Sequence, residues 1–403
     1  MGGVRYLVVG AGPAGTAAVV AIRRRDPGGC IVVVAPEAGP PYSRALLPAL
    51  VAGRVTLEEL AFRPADEFER WGVSRRVARA VRLDRDRREL ALSDGTLLPY
   101  DQLLLAPGGV PSRPAIPGLG LPGVFVLHER EDAVGILGGL AGADRAVVLG
   151  GGLIGLQVAE ALGERGLAVD VVEQAPRLLP RLLDRRAAAM VQAAAEQRGV
   201  ACHLGVSVAR ALAGEDGRLA AVRLGDGREL TTRMLVVAVG LRPDLSLAAP
   251  AGLAAARGIL VDTAMHTSAP GVYAAGDVAE CADGFCTPLW PRAAEGGRVA
   301  GSNMAGGAER RQGITWPQTA WHLFGVSGVA LGESAGAAPQ DTIYELACGP
   351  AYRRLVLREG RLVGALLVGE IRTAGVLAGL MRRGGTHRSA LRQLGYAEVA
   401  PGG

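Results

Sequence analysis

Apolar residues in this chain gather in short unbroken runs, and glycines follow several of them. The run VRYLVV over 4–9 leads into GAGPAG, then into a mixed apolar stretch that ends in Arg23, Arg24 and Arg25. A short run of branched residues suits a strand buried on both faces of a parallel sheet, and the longer stretch after it suits a helix. IVVVA over 31–35 predicts the next strand, with Glu37 just beyond it. The same order returns further on. AVVL over 146–149 predicts a strand, GGGLIG follows, a helix is expected to about Arg165, AVDVV over 168–172 predicts the next strand, and Glu173 closes the unit. Near the C-terminus, YRRLVLREGRLVGALLVGE over 352–370 predicts two strands joined by a turn at 358–361.

Each glycine turn has a physical reading. Gly10 permits the tight turn, Gly12 lets a pyrophosphate approach the backbone, and Gly15 lets the helix pack on the strand. The helix N-terminus offers unpaired N–H groups and the positive end of its dipole to phosphates. Glu37 can accept hydrogen bonds from a ribose. Gly150, Gly152, Gly155 and Glu173 repeat the arrangement, so two dinucleotides are expected. A carboxylate at Glu173 suits a ribose 2′-hydroxyl and repels a 2′-phosphate, and the next arginine is Arg177, which favours NADH over NADPH.

At this point the chain resembles the two-dinucleotide flavoprotein reductases of the pyridine nucleotide–disulfide oxidoreductase superfamily. LLLAPGGVPSRPAIPG over 103–118 and LVVAVGLRPD over 235–244 look like its two crossover segments. TSAPGVYAAGDVAE over 267–280 looks like its second FAD signature, and residues 288–306 look like its flavin-facing helix. The resemblance implies an α/β fold: two Rossmann-like dinucleotide-binding domains of the three-layer ββα type, plus a small C-terminal α+β domain. FAD is expected on 1–112 and 241–313, NADH on 113–240, and an interface domain on 314–403 that supports a homodimer in relatives. The implied cofactor contacts are Gly10, Gly12, Pro13, Ala14, Gly15, Glu37, Arg44, Val81, Ala106, Pro107, Gly108, Gly276, Asp277 and Ala293 for FAD. For NADH they are Gly150, Gly152, Leu153, Ile154, Gly155, Glu173, Val239 and Gly240. Asp277 is expected to hold the ribityl chain, and Arg44 to reach the FAD phosphates or that chain.

The branch follows from residues that are missing. Disulfide reductases need a cysteine pair in the region that here reads PYSRALLPALVAG over 41–53, and NADH oxidases and peroxidases need one cysteine there; it has none. The segment instead resembles reductases that pass electrons outward: rubredoxin reductases, ferredoxin reductases and the flavin portion of nitrite reductases. Many of those carry a lysine after the YxR, paired with a glutamate in the second glycine unit. Here Pro48 and Ala49 stand at the lysine's place and Gln157 at the glutamate's. Losing both charges strands no unpaired one, so the joint change is physically coherent. All 44 basic residues are arginine, so no step can use lysine.

The resemblance implies hydride transfer from nicotinamide C4 to flavin N5, with the protein supplying orientation and electrostatics. Gln157 is expected to bond the nicotinamide or its ribose. Trp290 is expected either to cover the flavin edge or simply to pack. N–H groups over 290–293 would stabilise charge at flavin N1–O2. The expected acceptor is a small rubredoxin- or ferredoxin-like carrier or a partner redox subunit. Arg372, Arg382, Arg383, Arg388 and Arg392 can dock an acidic carrier, although a solvated helical face needs no partner. Two readings compete with a reductase: an NADH oxidase producing peroxide, and a flavin-binding assembly or sensor subunit with slow turnover.

Other classes are disfavoured. Net charge is +5, but no arginine–aromatic interleaving points to nucleic acid. No apolar run nears the ~20 residues of a membrane span, and no signal pattern opens the chain, so a cytoplasmic protein is expected. The histidines lack metal-ligand spacing. Arg23–25 and Arg85–88 are read as solvated helix ends or loops, and Cys30, Cys202 and Cys348 as packing residues. Cys281 and Cys286 are read as a reduced pair in a loop, with a redox or metal role as the alternative.

Overall fold

The computed structural model describes residues 3–281, 289–311, 316–336, 338–384 and 386. Contacts divide the chain into two compact units. The first comprises 1–46, 56–111 and 241–313; the second comprises 47–55, 112–240 and 314–403.

The first unit is built on a five-stranded parallel sheet. Its order is Val272–Ala274, Gln102–Leu105, Arg5–Val9, Cys30–Ala35 and Val73–Val77. Arg5–Val9 lies at the centre, and Leu7, Val8, Val33, Leu103 and Leu104 are essentially sealed from solvent. This burial on both faces explains the unbroken apolar runs. A three-stranded antiparallel meander, Ala80–Asp84, Glu89–Leu92 and Leu97–Pro99, follows the fifth strand in chain order. The Pro13–Arg25 helix packs on the Trp290–Met304 helix. A Cβ at Gly297 would fall 2.0 Å from the Ala14 carbonyl oxygen, and one at Gly301 2.3 Å from that of Ala18. Only glycine permits so close a crossing.

The second unit repeats the plan. Its parallel sheet runs Val200–Leu204, Ala168–Glu173, Arg145–Leu149, Met234–Val237 and Val124–Val126. Val208–Ala213, Leu219–Leu224 and Glu229–Thr231 form the matching meander. The same unit carries a five-stranded antiparallel sheet, in the order Gln318–Leu323, Val326–Gly332, Arg361–Val368, Ala351–Arg358 and Thr342–Cys348. Its last two strands in chain order, before the Ala374–Arg382 helix, are the pair expected from 352–370, with the turn where expected. Parallel ββα units and an α+β sheet are thus the observed architecture.

Two expectations need correction. Arg23 is not a solvated helix end. Its guanidinium donates to the carbonyl oxygens of Trp71 (2.8 Å), Pro27 (2.8 Å) and Gly29 (2.9 Å), which lie where the helix and two loops converge. Cys30 and Cys348 are exposed rather than packed, because they sit at the first and last positions of their strands. Cys202 is part-buried, and burial pushes its thiol up to about 11. Cys281 is buried at the end of the Ala279–Cys281 strand, whereas Cys286 lies outside the described residues. No helix among the described residues is long and apolar enough to cross a membrane.

Candidate functional site

The two glycine turns have nearly the same geometry. Gly10 has φ +103°, and a Cβ there would fall 2.0 Å from the Ala106 carbonyl oxygen. Gly150 has φ +114°, and its Cβ would fall 2.6 Å from that of Ala238. Gly15 and Gly155 press on the carbonyls of Gly10 and Gly150, where a Cβ would lie 1.9 and 2.0 Å away. Each turn is pinned to the neighbouring strand: Gly10 N–H donates to Val34 and Gly150 N–H to Val172, both at 2.8 Å.

The middle glycines differ from these. A Cβ at Gly12 or Gly152 would meet nothing within 4 Å. Both residues are N-caps in extended conformation with no side-chain cap, and neither helix has an acid in its first turn. The first turns therefore leave N–H groups open to an anion, from Ala14 onward in the one helix, since Pro13 has none, and from Leu153 onward in the other. These features fit the pyrophosphates of two dinucleotides.

Around the first turn, Glu37 accepts from the Tyr42 hydroxyl (2.7 Å) and pairs with Arg44 (3.1 Å). Gly276 follows the Val272–Ala274 strand with φ +78°; a Cβ there would lie 3.2 Å from that of Ala14 and 3.8 Å from that of Ala293. The fold thus gathers Ala14, Gly276, Asp277 and Ala293. Burial pushes the Asp277 carboxyl above its ordinary range, and the Arg44 charge opposes this. Arg44 hence acts on both acids of the cradle. The crossover segments pair with each other, Gly109–Pro111 against Leu241–Pro243, and the Asp244 N–H donates to the Gly108 carbonyl at 3.1 Å. Ala106 is buried at the strand end beside Gly10, with Pro107 next to it. Val81 lies on an exposed part of the meander. Trp290 opens the Trp290–Met304 helix, with 40% of its surface exposed and its ring edge-to-face with Phe62 at 4.5 Å between centroids. The ring thus packs on one side, against Phe62.

Around the second turn, Glu173 does more than the sequence suggested. Its carboxylate accepts the N–H of Gly151 and of Ala175, each at 2.7 Å. It therefore braces the turn. Arg177 donates to the carbonyls of Leu183 and Pro180, both at 3.1 Å, and so closes its own loop. Val239 is exposed, and Gly240 has φ +103° and accepts from Ser112 at 2.9 Å. Gln157 is half-buried in the second turn of the Leu153–Glu164 helix.

Sequence reasoning missed Tyr42 and the acid Glu160, buried on that same helix. Glu160 accepts the Phe324 N–H at 2.7 Å and lies 3.6 Å from Arg54 and 3.8 Å from Arg198. Its signal was an acid at helical spacing from Gln157 within an apolar stretch. Of the arginines suggested for carrier docking, Arg372 pairs with Glu370 at 2.7 Å. Arg382 and Arg383 end the last described helix, and Arg388 and Arg392 lie outside the described residues.

One consequence concerns pH. The raised Asp277 carboxyl means that the folded chain holds this proton more tightly than the unfolded chain. Stability from this group is thus full below the unfolded value and lost as pH rises through the folded one. Asp277→Asn is expected to raise the melting temperature of the flavin-free protein at pH 7, with a gain that shrinks as the pH falls towards 4. Its FAD affinity should drop. An identical shift at both pH values counts against this account of Asp277.

Comparison with known proteins agrees with the geometry. The family model described as pyridine nucleotide-disulphide oxidoreductase matches residues 4–299. The NADH-dependent phenylglyoxylate dehydrogenase subunit epsilon of Aromatoleum evansii is 34% identical over 390 residues, 94% of this chain and 91% of that protein. The probable ferredoxin reductase CtmF of Castellaniella defragrans is 35% identical over 321 residues, 77% of this chain and 78% of that protein. Among solved structures, the covalent putidaredoxin reductase–putidaredoxin complex contains a chain that superposes with a TM-score of 0.87. That chain is 26% identical, with 95% of this chain and 94% of that one covered. With its two glycine turns and paired crossovers, the chain belongs to the pyridine nucleotide-disulphide oxidoreductase family.

Proposed function

We propose that this chain is an NADH-dependent flavoprotein reductase that passes electrons from NADH through FAD to a small redox carrier or a partner redox subunit. The observation that carries the reading is the pair of open, uncapped helix N-termini at Gly12 and Gly152, in a family member without the cysteines of the disulfide branch. FAD would occupy the first turn, with Glu37, Arg44, Gly276 and Asp277 around it. NADH would occupy the second, with Glu173 at the ribose and Gln157 near the nicotinamide. When bound, FAD supplies the step from two-electron hydride chemistry to an outward electron path. The chain's own residues would bind, orient and set charge: Glu37 and Glu173 would accept from ribose hydroxyls, and N–H groups near Ala293 would stabilise developing negative charge. The same reading assigns 1–112 and 241–313 to FAD, 113–240 to NADH and 314–403 to an interface domain. It places the protein in the cytoplasm.

NADH is favoured over NADPH because Glu173 disfavours a 2′-phosphate and Arg177 is engaged within its own loop. The acceptor is inferred from relatives: one is named as a ferredoxin reductase, and one solved structure holds a reductase joined to its carrier. A second reading of the acceptor, a fixed partner subunit, is favoured by the near full-length match to a protein named as a dehydrogenase subunit.

The test is reoxidation. Protein reduced with NADH under anaerobic conditions is mixed with rubredoxin, ferredoxin or oxygen. Rapid reoxidation by an iron–sulfur carrier is expected. Oxygen uptake that outpaces every carrier would favour a peroxide-forming oxidase instead.

A further inference from the structure

The charged pair that related reductases place between the YxR segment and the second glycine unit is absent at Gln157. An ion cluster instead joins the 47–55 segment to the helix that carries Gln157. The Leu47–Ala52 helix packs on the Leu153–Glu164 helix. Just beyond it, Arg54 donates from Nε to Glu164 at 2.8 Å, makes a second bond from Nη2 to that carboxylate, and lies 3.6 Å from the buried Glu160. Gln157, Glu160 and Glu164 fall at i, i+3 and i+7, which is one stripe of a helix. The first of these is neutral, and the next two hold Arg54. Arg165, at the C-cap of the same helix, donates to the Val51 carbonyl at 2.8 Å and fixes the segment's end a second time.

Glu160 is a costly group to bury alone, since an unpaired carboxylate loses several kcal/mol of hydration. Its partners come from three other pieces of the unit: Arg54, Arg198 at the end of the Arg185–Gln197 helix, and the Phe324 N–H in the turn after Gln318–Leu323. Such a hub fixes the position of the 47–55 segment along the stripe.

We propose that Arg54, Glu160 and Glu164 form a positioning clamp for hydride transfer. They tie the Leu153–Glu164 helix to the 47–55 segment, and so hold in place the helix that carries Gln157 towards the nicotinamide. The proposal rests on the reading that this helix binds NADH. Glu160 and Glu164 lie in the C-terminal part of the helix, away from its open N-terminus, so the clamp is expected to act on the geometry of the bound state rather than on binding. Transfer rates are sensitive to such geometry: a displacement of about 1 Å can cost on the order of 100-fold.

The experiment follows anaerobic reduction of the FAD-loaded protein over a range of NADH concentrations, in wild type, Arg54→Met, Arg54→Lys and Glu164→Gln. In Arg54→Met the limiting rate should fall roughly 10-fold or more, while the NADH concentration giving half that rate changes by less than about threefold. Arg54→Lys, which keeps a cation in reach of both acids, should recover most of the rate. If Arg54→Met does not hold flavin, Glu164→Gln removes one acid at a part-exposed position and should show a smaller fall of the same kind. A lowered melting temperature with an unchanged limiting rate in these variants overturns the proposal and leaves the cluster a structural one. A wild type that NADH does not reduce at all defeats the reading beneath it, which is a separate outcome.

Discussion

Gly152→Val should fold, bind FAD and fail to be reduced by NADH. The added side chain meets no atom within 4 Å of its Cβ, and Gly152 has an ordinary φ of −79°, so the fold itself gives no reason for a loss of stability. What the valine occupies is the approach to the uncapped N-terminus of the Leu153–Glu164 helix. Charge-assisted hydrogen bonds to those N–H groups are worth about 1.5–3 kcal/mol each. Losing two of them weakens NADH binding by roughly 100-fold or more. Gly12→Val is the matched case: an intact fold that no longer retains FAD. The two variants together assign each turn to its dinucleotide. Titration with NADH by flavin absorbance, together with the flavin content after purification, measures both. Normal NADH reduction in Gly152→Val would remove the second turn from the account.

Glu173→Ala should lower kcat/KM for NADH by roughly 30- to 100-fold, more than loss of a ribose contact alone would explain. The carboxylate braces the turn by accepting the N–H of Gly151 and of Ala175, and its removal leaves both without that partner. Unmade bonds of this kind cost about 1–3 kcal/mol each where water cannot replace them. NADPH should lose less, because repulsion of its 2′-phosphate disappears at the same time. Glu173→Arg should reverse the preference. Glu173→Gln separates the two effects. It removes the charge that repels the phosphate, and its single oxygen can serve only one of the two N–H groups. Steady-state rates with both nucleotides decide the matter, and an unchanged NADH-to-NADPH ratio in Glu173→Arg would show that this carboxylate does not face the ribose.

The parts legible in the sequence were those set by local constraint. Gly10, Gly15, Gly150 and Gly155 are dictated by positive φ or by a carbonyl about 2 Å from any Cβ, so their spacing carries the turn with it. The buried central strands announced themselves because both faces are covered. The hairpin at 352–370 was legible because its turn residues interrupt two apolar runs. What stayed hidden depends on residues distant in sequence. Arg54 meets Glu160 and Glu164 only after two helices pack, and nothing near Arg54 distinguishes it from other surface arginines. Arg23 was misread for the same reason, since its acceptors include the carbonyl of Trp71. The bracing role of Glu173 was also out of reach. A motif names the ribose ligand, but the two backbone bonds appear only when the loop after the strand is traced.

Reduction of the bound flavin by NADH is the central claim, and anaerobic rapid mixing of FAD-loaded protein with NADH or NADPH tests it most directly. The account predicts bleaching of the flavin within milliseconds to seconds by NADH, and much slower bleaching by NADPH. No bleaching by NADH over minutes would contradict it.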